Sequence, residues 1–178
     1  LATVQLAESD NMTDRVSALR VLAFEGNESK REQALDSFYQ TWKNETLVVN
    51  QWLQVQASIP DNKCPDRIEK LISHEAFDLR NPNKVRSLIG CYAQNNPTQF
   101  HRIDGAGYKF LIEKIFELNN LNPQIAARLL APLTKWKHYL GREQLIKEQL
   151  KNLAKFLCLS DISWVFLKFT TKEYQMTR

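Results

Sequence analysis

Two Asn-Pro helix starts, about forty residues apart, constrain the fold of this chain more than any other feature of its sequence. The first opens the stretch Asn81–Gly90 and the second opens the stretch Asn122–Leu130. In both, the asparagine can cap free backbone N–H groups, and the proline fits the first helical turn, where its missing N–H costs nothing. A spacing of this size is typical of stacked helical pairs. The pattern therefore predicts two helices of a repeated design.

Each of these helices has an apolar face and an outward polar face. Residues three and four apart lie on one side of a helix, so the apolar positions can pack while the others meet solvent. The first helix projects Arg86 outward, and Gln124 and Arg128, four apart, share the outward face of the second. The apolar positions are Val85, Leu88, Ile89 and Tyr92 in the first helix and Ile125 and Leu129 in the second. The first helix also places Asn83 and Gly90 outward.

Helical periodicity recurs along the chain, and the composition suits it. The 178 residues are 43% hydrophobic, which is enough for a core, and they include only 5 glycines and 6 prolines. Strand-like alternation is scarce, so the sequence predicts an all-α fold of about eight to ten helices. Short connections favour antiparallel pairs that stack as a HEAT/ARM-like α-solenoid, a superhelix that is irregular because no exact repeat is visible. We expect one helical domain over residues 1–178.

The N-terminal third predicts three helices from local start and stop signals. Residues 1–7 are weakly patterned. Asp10 or Thr13 can cap the first helix, and Ser29, three residues before Glu32, opens the second with a capping-box pattern. A third helix stops before Pro60. Because the chain lacks an initiator methionine, we interpret it as a fragment of a longer protein.

The charge pattern and the hydropathy exclude two classes of partner. The net charge is +4, but no run of five or more lysines and arginines occurs, whereas a nucleic-acid footprint is a clustered basic stripe. Scattered charge mainly supports solubility. The sequence shows no signal peptide and no apolar run long enough to span a bilayer. We expect neither nucleic acid nor a membrane as a partner.

The cysteines indicate a reducing compartment. Cys64, Cys91 and Cys158 are odd in number and widely separated, and they form neither a CxxC pair nor a disulfide framework. The simplest interpretation is a cytoplasmic protein. Three Asn-X-Ser/Thr sequons stand against it, but they matter only in a secreted eukaryotic chain.

The sequence holds no complete metal or nucleophile motif. His74-Glu75 begins like HExxH, but the fourth residue after the histidine is Asp78. Two imidazoles one helical turn apart are what make that motif a zinc site, so we expect no metal ligand and no cofactor in this chain. Asp104–Gly107 has two glycines but no preceding strand, which favours a turn and a helix start over a phosphate cradle. No catalytic residue is predicted.

Arg86, Gln124 and Arg128 are the remaining candidates for a site. They can be solvated surface residues or structural partners of carboxylates such as Asp78 or Glu117, because charged residues on an outward helix face are the rule. They can also be side chains that bind a ligand. The pattern alone leaves both interpretations open.

Several blocks of the sequence, in one order, resemble a known domain. The blocks include Asn11–Arg15, NPNKVRSLIG from Asn81, Phe100-His101, DGAGYKFL from Asp104 and NPQIAARL from Asn122. Together they are similar to the C-terminal helical domain of the zinc aminopeptidases of the aminopeptidase N family, in particular its bacterial alanyl aminopeptidase branch. The resemblance runs from about residue 11 to about residue 155, and the tail at 157–178 is atypical.

The resemblance implies a fold and a role. In that family the domain is an irregular all-α superhelix that closes over a thermolysin-like catalytic domain and encloses the active-site cavity. The zinc site lies in the preceding domain, so the resemblance implies zinc in the parent enzyme and none in this chain, which would be inactive alone. It places Gln124 and Arg128, and Arg86 with them, on the cavity side. The partners it implies are a peptide substrate and the catalytic domain of the parent.

A second function stays open at this point, a stand-alone helical-repeat scaffold that binds a protein partner through a groove. The gene upstream of Leu1 distinguishes the two. An in-frame HExxH followed by a downstream glutamate decides for the aminopeptidase, whereas a start codon near Leu1 decides for the scaffold.

Overall fold

The computed structural model describes residues 1–134 and 138–157. Every regular element within these ranges is helical, which confirms the predicted all-α class. The α-helices are α1 (Ala2–Glu8), α2 (Met12–Glu25), α3 (Glu28–Trp42), α4 (Thr46–Ser58), α5 (Cys64–Ile72), α6 (Pro82–Val85), α7 (Cys91–Asn95), α8 (Pro97–Phe100), α9 (Ala106–Asn119), α10 (Pro123–Arg128), α11 (Ala131–Thr134) and α12 (Glu143–Leu157). A π-helical turn, Arg86–Gly90, joins α6 to α7.

The described ranges hold twelve α-helical segments, more than the sequence predicts. The excess comes from short pieces, since α6, α8 and α11 have only 4 residues each. Each of these pieces contains a proline in its first two positions, where a missing N–H does no harm. The weakly patterned N-terminus also folds as a helix, α1, which has no buried residue.

Asparagine side chains begin four of the helices. The amide oxygen of each accepts a hydrogen bond from a backbone N–H two or three residues later, which satisfies a donor that the helix leaves free. The caps predicted at Asp10 or Thr13 and at Ser29 are therefore wrong. The four asparagines are Asn11, Asn27, Asn81 and Asn122.

The chain divides into two compact units, of which the first ends at Gln99 and the second begins at Phe100. In the first unit α4 is central, because α2, α3, α5, the π-helical turn and α7 all pack against it. Its Trp52 is buried, donates its indole N–H to the Leu35 carbonyl at 2.9 Å, and stacks on Tyr39. The prediction of one helical domain over residues 1–178 stays a prediction.

In the second unit α9 is central, with α10 and α12 packed on it. The turn predicted before α9 is present, and Gly105 takes a left-handed φ of 70° there. A β-carbon at Gly107 would lie 2.3 Å from the Phe100 carbonyl oxygen, so this close approach requires glycine. The buried apolar face of α9 consists of Tyr108, Leu111, Ile112, Ile115 and Leu118.

Among the helices of residues 1–134 and 138–157, none combines the length and the hydropathy of a membrane-spanning segment. The sequence features of the tail after Leu157 lie outside the described residues.

Candidate functional site

The first Asn-Pro start positions Arg86 as predicted. The Asn81 side chain accepts hydrogen bonds from the backbone N–H groups of Asn83 at 3.0 Å and Lys84 at 3.4 Å. Pro82 occupies the first turn. Arg86 follows directly after α6, and its side chain is exposed. A capped helix start therefore holds an arginine at the surface of the first unit.

Arg86 stands alone in a buried stretch. Val85 before it is buried, and so is every residue from Ser87 to Ala93. A helix that is buried on all sides normally excludes a charged side chain. The single exposed position in this run is therefore the one that carries a guanidinium.

The second Asn-Pro start positions Gln124 and Arg128. The Asn122 side chain accepts the backbone N–H of Ile125 at 3.2 Å and begins α10. Gln124 and Arg128 are exposed one turn apart, whereas Leu129 is buried. The outward and inward faces predicted for this helix are both present.

The carboxylates considered as structural partners are engaged elsewhere. Glu117 accepts a hydrogen bond from the Lys114 ammonium group at 2.8 Å. Asp78 accepts the backbone N–H of Arg80 at 2.8 Å. In the described part of the chain, neither Arg86 nor Arg128 forms an ion pair or donates a side-chain hydrogen bond. Most of the other arginines with described side chains do, as Arg31, Arg67, Arg102 and Arg142 show.

Among the predicted residues, α10 brings Gln124 and Arg128 together. Arg86 belongs to the first compact unit, and these two belong to the second. Their assembly into one site with Arg86 stays a prediction.

The described residues contain no group of three or more histidine, cysteine, aspartate or glutamate side chains that could hold a metal ion. His74 instead accepts the backbone N–H of Ala76 through Nδ1 at 3.0 Å, and its ring meets Tyr39 edge-on at 4.9 Å. A zinc ion has no suitable ligand set here, because it needs at least three converging side chains.

Two further features of the structure were not predicted from the sequence. Lys84, in the same Asn-Pro block as Arg86, is half-buried, and burial lowers the pKa of its ammonium group below the usual lysine value. The sequence could have indicated Lys84 by its position, since it is the other cationic residue of that block. His101 is buried, and its Nδ1 lies 2.8 Å from the Tyr108 hydroxyl. A seven-residue separation across a glycine turn gave no signal for this contact.

Comparison with known proteins gives the chain its family. The family model described as "Domain of unknown function (DUF3458_C) ARM repeats" matches residues 1–162. The chain is 38% identical over 147 residues to the aminopeptidase N of Haemophilus influenzae, a match that covers 82% of this chain and 17% of that protein. The identity to the aminopeptidase N of Escherichia coli is also 38%, over 157 residues, covering 86% of this chain and 18% of that protein. The chain thus spans less than a fifth of the length of these two relatives.

A solved structure shares the fold. The crystal structure of Legionella pneumophila aminopeptidase A in complex with aspartic acid matches with a TM-score of 0.87 and 33% identity, covering 96% of this chain and 20% of that chain. The predicted resemblance to a helical domain of aminopeptidase N and the predicted ARM-like fold are both confirmed. This chain belongs to the DUF3458_C family of ARM-repeat domains and is homologous to a segment of aminopeptidase N.

Proposed function

We propose that this chain is the C-terminal helical domain of a zinc-dependent aminopeptidase, in which it covers the active-site cavity and helps to bind the peptide substrate. The similarity to aminopeptidase N over most of the chain supports the identity of the parent. Since the chain accounts for under a fifth of those relatives, the catalytic machinery belongs to the rest of the parent. The domain is inactive alone, and its partners are the catalytic domain and the peptide.

The observation that carries the binding role is the pair of unpaired side chains on α10. Gln124 and Arg128 are exposed, lie one turn apart, and have no protein partner among the described residues. A peptide beyond the scissile bond presents carbonyl oxygens and a terminal carboxylate. A guanidinium is a planar donor of several hydrogen bonds to both, and a carboxamide can donate to a carbonyl and accept from an N–H.

Arg86 supplies a second guanidinium in this proposal. Its exposure within a buried helix supports a role outside the protein core. In this proposal it binds a carbonyl or carboxylate oxygen of a peptide substrate, since charge-assisted hydrogen bonds are the strong ones. The three side chains bind and orient the peptide, and none of them reacts.

Zinc belongs to the catalytic domain in this proposal, because the described residues offer it no ligand set. When bound there, it would supply a Lewis acid and an activated water for hydrolysis. The cytoplasm fits Cys64 and Cys91, which are buried and have free thiols.

The proposal is tested by comparing the isolated chain with the full-length protein that contains it. The isolated chain should neither hydrolyse alanyl or leucyl arylamides nor bind stoichiometric zinc, whereas the full-length protein should do both. Turnover is followed by release of the arylamine, and zinc by atomic absorption after gel filtration. Zinc-dependent turnover by the pure isolated chain, or none by the metal-loaded full-length protein, would contradict the proposal.

A stand-alone scaffold is the second candidate, and one groove favours it. A cavity of about 500 Å³ lies between α1, α2 and α3, where Phe38 and Trp42 form part of an apolar wall. Such grooves can bind a protein segment. A start codon near Leu1 would support this function, whereas an in-frame HExxH upstream would support the aminopeptidase.

A further inference from the structure

The helix that carries Arg86 is not a regular α-helix. Between α6 and α7 the backbone N–H of Cys91 donates to the carbonyl oxygen of Arg86, five residues earlier. This bond defines a π-turn, which places one more residue in the turn than an α-helix does. The extra residue lies within Arg86–Gly90, so the irregularity starts at the arginine itself.

One of the outward positions predicted on this helix, Gly90, is buried. In an α-helix, residues three, four and seven positions after Arg86 lie on its face. Ile89 and Ala93 are buried, and so is Gly90, which the sequence predicts to face outward with Arg86. The extra residue in the turn moves Ile89 and Ala93 away from the face of Arg86, in agreement with their burial. Gly90 stays near that face, and the π-turn does not explain its burial.

Polar contacts hold both ends of the turn against α4. Gln54 donates its side-chain N–H to the Ser87 hydroxyl at 3.3 Å. One turn further on, the Cys91 thiol donates to the backbone carbonyl oxygen of Gln54 at 3.5 Å and contacts the Ser58 hydroxyl at 3.3 Å. Ser87 and Cys91 are both buried. These contacts fix the helix on α4 immediately after Arg86.

We propose that the π-turn Arg86–Gly90, held against α4 by Gln54, is a positioning device that directs the Arg86 guanidinium toward the peptide substrate. The inference rests on the proposed function, because it assumes that Arg86 binds the peptide. Gln54 and Ser87 are positioning residues, since they act through Arg86 and touch no substrate. Within the otherwise buried run from Val85 to Ala93, the turn leaves this one side chain exposed.

The direct test removes the extra residue. Deleting Gly90 takes away no side chain, yet it shifts the two helix halves by roughly 100° and 1.5 Å relative to each other. In the full-length enzyme, kcat/KM for a tripeptide and for alanyl arylamide is compared between wild type, the Gly90 deletion, Arg86→Ala and the two changes combined. We expect the peptide-to-arylamide ratio to fall roughly tenfold in both single variants and no further in the combination.

The outcomes separate this inference from the proposed function. If Arg86→Ala leaves the ratio unchanged, the substrate-binding role of Arg86 is wrong. If Arg86→Ala lowers the ratio but a folded Gly90 deletion does not, or if the deletion lowers turnover of both substrates alike, the positioning role is wrong. Arg20→Ala, which removes another exposed arginine of the first unit, is the matched control and should leave the ratio unchanged.

If the deletion variant does not fold, milder changes decide. Gln54 is half-buried, so substitutions there are tolerated more easily than in the core. Gln54→Ala removes the contact with Ser87 and should lower the ratio severalfold, mainly through KM for the peptide. In Gln54→Glu the carboxylate can accept a hydrogen bond from the Ser87 hydroxyl, so the peptide-to-arylamide ratio should return toward that of wild type. An unchanged ratio in Gln54→Ala would overturn the inference.

Discussion

Arg128 carries the clearest prediction at the level of a single residue. In the full-length enzyme, Arg128→Ala should lower kcat/KM for peptides roughly tenfold to a hundredfold, because a charge-assisted hydrogen bond of about 1.5–3 kcal/mol is lost. Turnover of small arylamides should change much less, since they have little beyond the scissile bond. Steady-state kinetics with both substrate types measures the difference.

Gln124→Ala is the comparison for Arg128. It should act in the same direction but less strongly, because a neutral amide makes weaker bonds than a guanidinium. Stability should stay nearly unchanged in both variants, since both side chains are exposed and unpaired in the described chain. A markedly lower melting temperature with equal loss on both substrates would make Arg128 a structural residue.

The sequence predicts which residues face outward only where the helix is regular. Gln124, Arg128 and the buried Leu129 follow the α-helical period, and the structure has them as predicted. Gly90 was predicted to face outward and is buried. The sequence pattern also could not show the π-turn in which Gly90 lies, because the period assumes one hydrogen-bond step throughout. The sequence pattern also could not predict that Arg128 has no ion-pair partner in the described chain, since that depends on where carboxylates distant in sequence lie.

At the level of elements, an ion-pair cluster ties α3 and α5 to the loop after α4. Asp61 in this loop forms an ion pair with Arg31 of α3. Its carboxylate forms a second ion pair with Arg67 of α5, whose Nη2 lies 2.9 Å from Asp61 Oδ2. Both guanidinium groups are largely buried, with side-chain exposures of 13% and 11%. Asp61→Asn leaves two poorly solvated cations near each other. It should lower the free energy of unfolding by about 1–3 kcal/mol in urea denaturation.

Lys63→Gln is the matched control for Asp61. Lys63 pairs with Glu28, but both side chains are more than half exposed, at 64% and 62%. Solvent screens an exposed pair of this kind, so the control should hardly move the urea midpoint. Equal effects of Asp61→Asn and Lys63→Gln would mean that burial does not strengthen the cluster.

The start of an element is predictable when its signal is local. The caps Asn81 and Asn122 were predicted because a proline follows each, whereas Asn11 and Asn27 were missed because nearby residues offered equally good caps. Helix α1 was missed because none of its residues is buried, so it lacks the apolar stripe that marks a helix.

At the scale of the whole molecule, the sequence predicts the fold class well, because helical periodicity and cap signals agree along most of the chain. The ARM-like fold also followed from blocks spread over both units, such as Asn81–Gly90 and Asn122–Leu130. The division after Gln99 was not predicted. It depends on how many contacts cross a point in the chain, and a pattern of local spacings does not contain that information.

Acid should destabilise the chain through a buried histidine of the second unit. His101 lies against Tyr108, its ring stacks on that of Tyr139, and the Arg142 guanidinium donates to its carbonyl oxygen at 3.1 Å. Burial first, and then the positive charge of Arg142, lowers the pKa of His101 from 6.5 to about 4. Tyr108 is neutral at these pH values, because its pKa is raised to about 12, chiefly by burial.

The sign of the effect follows from where the proton binds. Between pH 6.5 and about 4 the unfolded chain protonates this histidine and the folded chain does not, so stability present above pH 6.5 is lost as the pH falls toward 4. From pH 7 to pH 5, protonation linked to His101 alone should lower the free energy of unfolding by about 1–2 kcal/mol.

Urea denaturation of wild type and His101→Gln at both pH values measures this loss of stability, because glutamine can still accept a hydrogen bond from the Tyr108 hydroxyl but does not titrate. The variant starts less stable at pH 7, since it loses the stacked ring, yet it should lose less on acidification. Other groups that titrate in this range cancel in the difference between the two proteins, so equal losses would show that His101 is protonated in the folded chain as readily as in the unfolded one.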